Sequence, residues 1–149
     1  LEVTETSVMS DADFALGVLN KLHEMGVNLA IDDFGTGYSS LSYVKKMPVK
    51  EIKIDRSFIF NMINDSNDEA IVRSTIALAH NMGMKVVAEG VETDVQLQHL
   101  LDTDCDYIQG FLISKALSQE DFISTLVGWQ SRALERAPKT IDLSVSQHH

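Results

Sequence analysis

Two neighbouring aspartates, Asp32 and Asp33, stand where an apolar run gives way to a glycine-containing loop, Phe34-Gly35-Thr36-Gly37. Other short apolar runs carry a polar residue toward their C-terminal ends: Lys53 and Asp55 in Glu51–Asp55, Glu89 in Lys85–Val91, and Gln109 in Tyr107–Gly110. Glu2 lies in the opening run Leu1–Thr4. Carboxylates in such number cannot all stay ionised and close together without a cation. Oxygen donors of this kind favour Mg²⁺, Mn²⁺ or Ca²⁺ over zinc. Blander readings stand beside this one. An Asp-Asp pair before glycine is also ordinary turn chemistry, and Lys53 also reads as a strand lysine that discourages edge pairing.

The elements that must position these groups alternate along the chain. Leu1–Thr4, Val27–Asp32, Glu51–Asp55, Lys85–Val91 and Tyr107–Gly110 read as strands. Between them, helical patterns run from Ser10-Asp11 to about Met25, over Tyr38–Lys46, over Asn67–Met82 and over Thr93–Asp102. Gly26 and Gly83 are helix stops, and Asn67 reads as a cap. A last helix starts at Ser118 and runs toward Leu134. Strands separated by helices of this length imply parallel βαβ units with right-handed crossovers.

Side chains alternate faces along a strand, so Lys53 and Asp55 oppose Ile52 and Ile54, and Glu89 opposes Val86 and Ala88. A parallel sheet covered on both faces would read as nearly continuous apolar strands, and these do not. In a parallel barrel the strand C-termini converge on one mouth. Glu2, Asp32, Asp33, Lys53, Asp55, Glu89 and Gln109 then crowd one rim of a barrel-like α/β scaffold.

Composition sets the outer bounds. At 149 residues, 44% hydrophobic and 23% charged, the chain fits one soluble globular domain. A net charge of -10 argues against a DNA or RNA binder, which needs a basic face. It does not exclude a small nucleotide held through cations. Cys105 is the one cysteine, so no internal disulfide forms, which suits a reducing compartment. No apolar run is long enough to span a bilayer. Leu1 already lies in a strand, which suggests a fragment of a longer chain. Residues 138–149, from Pro138 on, read as a polar tail that includes His148 and His149.

Five segments together resemble the EAL family of cyclic di-GMP phosphodiesterases. They are Leu1-Glu2-Val3-Thr4-Glu5, Ile31 through Ser40 with its Asp-Asp-Phe-Gly-Thr-Gly core, Ile52-Lys53-Ile54-Asp55, Val87-Ala88-Glu89-Gly90-Val91-Glu92 and Gln109-Gly110-Phe111. The resemblance covers Leu1 to about Leu126. It implies an α/β fold, a TIM-like (β/α) barrel, of which this chain is the C-terminal portion with about five parallel strands. Residues 1–137 would be that portion of the domain.

The activity implied is hydrolysis of cyclic di-GMP to linear pGpG at a two-metal Mg²⁺ or Mn²⁺ site, with Ca²⁺ inhibiting. Metal pairs of this kind lower the pKa of water and stabilise attacking and leaving oxygens. By resemblance, Glu2 and Asp32 bind one metal, Asp33 binds the second with Asp32 bridging, and Glu89 assists. Lys53 holds the attacking water, and Gln109 fixes the water or metal shell. Glu5 anchors the loop Phe34–Ser40, although a plain surface acid is its alternative. Asp55 and Glu92 support the site or contact substrate, and for Glu92 a place at a helix start competes.

The strand bearing the Glu-Ala-Leu signature and the strand bearing the family's Asn ligand are absent. Little activity is therefore expected of this chain alone. Lys115-Ala116 departs from the family's usual Pro in the second position. A catalytically degenerate receptor for cyclic di-GMP, or a regulatory dimerisation module, is the alternative function. The expected assembly is a homodimer or a pairing with the missing N-terminal half. A cytoplasmic location is expected, with a membrane tether elsewhere in the parent left open.

Overall fold

The computed structural model describes residues 1–37 and 41–125. The chain divides into two compact units, Leu1–Ser114 and Lys115–His149. In the second, residues 119–125 are helical, and the Ser118 hydroxyl accepts from the Asp121 N–H at 3.2 Å as its cap. The expected continuation to Leu134 and the polar tail lie outside the described residues.

The first unit is a run of five parallel strands, β1 (Glu2–Thr4), β2 (Ala30–Phe34), β3 (Glu51–Ile54), β4 (Lys85–Glu89) and β5 (Tyr107–Gln109). Between them lie α1 (Glu5–Ser10), α2 (Ala12–Glu24), α3 (Leu41–Val44), α4 (Arg56–Asn61), α5 (Ser66–Asn81) and α6 (Asp94–Asp102). Neighbours in the sheet follow chain order with no reversal. That is the arrangement of a barrel wall. A doubly wound sheet reverses its order at a switch point.

Parallel units of this kind use right-handed crossovers, which put the connecting helices on one face of the sheet. There Ile31, Ile52, Ile54, Val86 and Ala88 pack with Ile59, Val72, Ile76, Ala79 and Leu100 in a closed core. Ile52, Ile54, Val86 and Ala88 are fully buried. The opposite face carries Glu2, Asp32, Lys53, Glu89 and Gln109. The α2 pattern is narrower than its sequence suggests: Leu19 is buried and Leu16 and Leu22 pack partly, but Phe14 and Met25 are exposed.

Three helices end in the same way. After α2, Gly26 N–H donates to His23 O and Val27 N–H to Leu22 O; after α5, Gly83 and Met84 donate to His80 O and Ala79 O. After α6, Asp104 and Cys105 donate to Leu101 O and Leu100 O, with Asp104 taking the left-handed place at φ 57°. This paired closure satisfies the last carbonyls and turns the chain back toward the sheet. It also explains why β2 begins at Ala30 and not at Val27, whose N–H is already committed to the helix end.

Other boundaries move for equally local reasons. Asp65, not Asn67, caps α5; its carboxylate accepts the Asn67 N–H at 2.8 Å. β3 stops at Ile54 because Asp55 turns to cap α4. β4 stops at Glu89 because Gly90 adopts φ 73°, and β5 stops at Gln109. α6 starts at Asp94, with Thr93 and Gln96 forming a reciprocal capping box. Of the short helix expected over Tyr38–Lys46, Leu41–Val44 is helical and Tyr38–Ser40 lie outside the described residues. α1 and α4, six residues each, went unforeseen because a helix of fewer than two turns repeats its apolar positions too few times to mark a face.

At the end of the sheet away from the acidic rim, Asp106 ties three elements together. Its carboxylate receives Lys85 Nζ at 2.5 Å and the Val86 N–H at 3.0 Å, and pairs with His80 Nε2 at 2.8 Å. Burial alone would raise its pKa, but the bonds from Lys85, His80 and the Val86 N–H outweigh that and hold it at about 2. A depressed carboxyl stabilises the fold above its unfolded pKa of about 3.9, and that contribution disappears as pH falls toward 2. Asp106→Asn is expected to cost about 1–2 kcal/mol at neutral pH, since one partner is well exposed. In urea melts the gap between parent and variant closes below pH 3; a gap that is constant with pH would refute the charge-based account.

Candidate metal centre

Lys53 is the hub of the acidic rim. It lies on β3, the central strand, and is only 6% exposed. Its Nζ sits 2.6 Å from Glu89 Oε1 on β4, 2.9 Å from Glu2 Oε2 on β1 and 3.4 Å from Asp32 Oδ1 on β2. Parallel register makes this meeting possible: Thr4 pairs with Asp32, Lys53 with Val87 and Glu89 with Gln109. Burial pulls the ammonium toward deprotonation, but hydrogen bonds to Glu89 and Glu2 and the charges of Glu89 and Asp32 outweigh it. The net shift is upward. Lys53 is therefore a permanent donor and counter-charge at neutral pH, without a free lone pair for a base.

Asp32 and Asp33 pose a geometric problem, because adjacent strand residues point to opposite faces. The fold solves it with a bulge. Ile31 pairs with Ile52 and Phe34 with Ile54, so β2 spends one more residue than β3 over the same stretch. Asp33 sits in the left-handed region at φ 53°. As a result Asp32, Asp33 and Glu89 each bring a carboxylate oxygen within 4.8 Å of the others. The Asp33 pKa is raised, by burial first and then by the charges of Asp32 and Asp55. Crowded acids that resist joint ionisation in this way are a fit site for a hard cation, and an all-oxygen donor set suits Mg²⁺, Mn²⁺ or Ca²⁺.

Glu2 reaches Lys53 but is not among the three clustered acids. Asp55 adjoins Asp33. Burial would raise its pKa, but bonds from the Ser57 hydroxyl and N–H and the Arg56 N–H, with the Arg56 charge, lower it. It is thus both the cap of α4 and a neighbour of the metal-type cluster. Glu5, the first residue of α1, is 2% exposed and is no surface acid. Its Oε2 accepts Gly35 N–H at 2.9 Å and Gly37 N–H at 3.4 Å, fixing the loop that leaves Asp33.

Gln109 and Glu92 flank Glu89 in a cleft that also contains Arg56, Gly90, Gly110 and Phe111. Glu92 precedes α6 and lies outside it; its N–H donates to Gln96 Oε1 at 2.8 Å. Gln96, itself buried, also donates to Ile59 O at 3.1 Å, which locks the segment carrying Glu92 onto α4. Arg56 escaped the sequence reading because α4 did; its place directly after the strand-tip Asp55 was the available signal.

A family model described as the EAL domain matches residues 1–116. The chain is 48% identical over 126 residues to MucR of Pseudomonas aeruginosa, a bifunctional diguanylate cyclase/cyclic di-GMP phosphodiesterase, and covers 18% of it. It is 47% identical over 117 residues to the cyclic di-GMP phosphodiesterase NbdA of the same species, covering 15%. These alignments take in 85% and 78% of this chain. Among solved structures, the MucR phosphodiesterase in complex with c-di-GMP superposes with a TM-score of 0.80 at 49% identity, over 82% of this chain and 49% of that one. Klebsiella pneumoniae BlrP1, solved with manganese or with calcium and c-di-GMP, gives 0.71 at 39% identity, over 76% of this chain and 29% of that one. The chain thus spans under a fifth of these curated relatives' length and about half of the MucR phosphodiesterase structure.

Proposed function

This chain belongs to the EAL domain family, and from that membership we propose that the complete protein hydrolyses cyclic di-GMP to linear pGpG. One observation carries the proposal: three carboxylates gathered within 4.8 Å beside a buried lysine, all at the tips of parallel strands. Glu2, Asp32 and Asp33 would hold a pair of Mg²⁺ or Mn²⁺ ions, with Glu89 assisting. Such a pair supplies a more acidic water and neutralises charge on the attacking and leaving oxygens.

The remaining steps belong to the chain's own side chains. Lys53, charged and donor-only, orients the attacking water and offsets the phosphoryl charge. Gln109 adds a neutral hydrogen-bonding group beside Glu89. Asp55 and Glu92 border the substrate, and Glu5 keeps the loop after Asp33 in place. Water adds across one P–O3′ bond, so phosphorus gains the hydroxyl oxygen and the departing 3′ oxygen gains a proton.

The test is nucleotide chromatography of the complete protein with cyclic di-GMP. Formation of pGpG with Mg²⁺ or Mn²⁺, its loss on chelation and its suppression by Ca²⁺ are expected. Tight binding with no product under either cation would replace the enzyme by a receptor.

We further assign residues 1–137 to this domain and 138–149 to a tail, and place the protein in the cytoplasm. Among the described residues, no helix is long and apolar enough to cross a membrane. Alone, the chain is expected to have little activity. Among the described residues the sheet ends at β1 and β5, and Leu1, Phe14 and Val18 near β1 are exposed. Such an edge favours association with another copy or with further strands. Light scattering that shows a strict monomer at high concentration would contradict it.

A further inference from the structure

Four polar side chains are buried among the described residues: Glu5, Lys53, Thr75 and Gln96. Glu5 and Lys53 belong to the rim described above, and Thr75 lies inside α5. Gln96 remains. It is the third residue of α6, is 4% exposed, and bonds three backbone groups through its side chain.

A glutamine at this position needs only its carboxamide oxygen to complete a capping box. Here Oε1 accepts the Glu92 N–H at 2.8 Å and the Thr93 N–H at 3.0 Å, while the Gln96 N–H donates to Thr93 Oγ1 at 3.2 Å. The amide nitrogen does something the cap does not require. Nε2 donates to Ile59 O at 3.1 Å, 37 residues away in the chain. Ile59 is fully buried and lies toward the end of α4, where helix carbonyls lack partners within the helix. An ionised glutamate would cap α6 equally well but has no donor for Ile59 O. The amide is therefore the mark of a bridge between α6 and α4, in addition to a cap.

Each end of this bridge carries an acid. α4 leaves the tip of β3 through its cap Asp55, whose carboxylate accepts the Ser57 N–H at 2.9 Å. The segment after β4 carries Glu92, whose own N–H is one of the bonds that Gln96 accepts. Toward β5 that segment is held by Val91, which donates to Gln109 O and accepts from the Leu112 N–H. Toward α4 it is held by Gln96. We propose that Gln96 is a positioning residue that sets the spacing of Asp55 and Glu92 across the site and acts on substrate binding through Glu92. The inference rests on the phosphodiesterase reading above, in which both acids border cyclic di-GMP. A group fixed before the ligand arrives has little freedom left to lose on binding, so a slack Glu92 weakens affinity without entering the chemical step.

The test is a double-mutant cycle in the complete protein, read by steady-state kinetics on cyclic di-GMP and by calorimetry with the same nucleotide under Ca²⁺. Gln96→Glu keeps the capping oxygen and removes the donor to Ile59 O. It is expected to raise KM and Kd about 3–10-fold, the size of one hydrogen bond, with kcat little changed. In a Glu92→Ala background the same substitution adds nothing, because the residue it acts through is gone. Thr93→Ala removes the other half of the capping box and lowers the melting temperature, but leaves KM and Kd at the parent's values. Should Gln96→Glu not fold, Gln96→Met, uncharged and of similar length, completes the same cycle. Additive effects of the Gln96 and Glu92 substitutions, an equal rise in KM for Thr93→Ala, or unchanged KM and Kd for Gln96→Glu would overturn the assignment. If the parent forms no pGpG, the phosphodiesterase reading fails separately and the cycle in Kd decides the role of Gln96 by itself. A parent that binds no cyclic di-GMP overturns both.

Discussion

If the complete protein has the proposed activity, replacing Lys53 by methionine is expected to lower kcat on cyclic di-GMP by about 10²–10⁴-fold, the range for removing a positioned donor from developing charge. The same change acts on the fold. In the structure the ammonium lies between Glu2, Asp32 and Glu89 and is almost fully buried. Methionine retains the length of the stem but leaves these carboxylates without a counter-charge, and removing one partner of a buried ion cluster costs about 3–5 kcal/mol. The exposure of Glu2 places the expected loss at or below the low end of that range.

A divalent cation supplies charge to the same acids. Thermal melts should therefore show Mg²⁺ stabilising Lys53→Met more than the parent. Equal melting temperatures for the two proteins without added metal would show that Lys53 is not the counter-charge of the rim. An unaltered kcat would remove it from the reaction.

The second large effect is on stability, at Gly110. A Cβ there would lie 2.2 Å from Val91 O and 2.3 Å from Val91 N, both backbone atoms. Neither can yield easily. Val91 N–H donates to Gln109 O at 3.1 Å, and Val91 O accepts Leu112 N–H at 2.9 Å. Gly110→Ala must break this clasp between the segments that carry Glu92 and Gln109, so a loss of 3 kcal/mol or more is expected, roughly the upper end for overpacking. Gly17 gives the contrasting control. It lies inside α2 with nothing within 4 Å of a Cβ, and Gly17→Ala should stabilise by about 0.5–1 kcal/mol. Urea denaturation of both variants checks the pair. A Gly110→Ala protein as stable as the parent would mean that the close approach at Val91 is not maintained in solution.

How much of this was legible beforehand depends on how local each cause is. The Gly26 and Gly83 stops and the start of α6 at Thr93-Asp94 follow from residues within one turn of one another, and the sequence displays them. Alternation along β3 and β4 likewise separates Lys53 and Glu89 from their buried neighbours. The left-handed turn at Asp104 is local too, yet aspartate marks it less clearly than glycine marks the other two helix ends. Asp106 gave no signal, because its partners His80, Lys85 and Val86 are remote in sequence.

By itself, then, the sequence determined the alternation of strands and helices, the parallel direction of the sheet and the placing of acids at strand ends. These follow from side-chain period, capping chemistry and connection length, all short-range properties. Only the tertiary structure decided that Asp32 and Asp33 turn to the same side, that Asp55 divides its role between helix cap and rim, and that Lys53 collects carboxylates from three other strands. The bulge at Asp33 exists because β2 pairs with β3 one residue out of step between Ile31 and Phe34. Such a slip is a property of two paired strands, and the pattern of neither strand alone contains it.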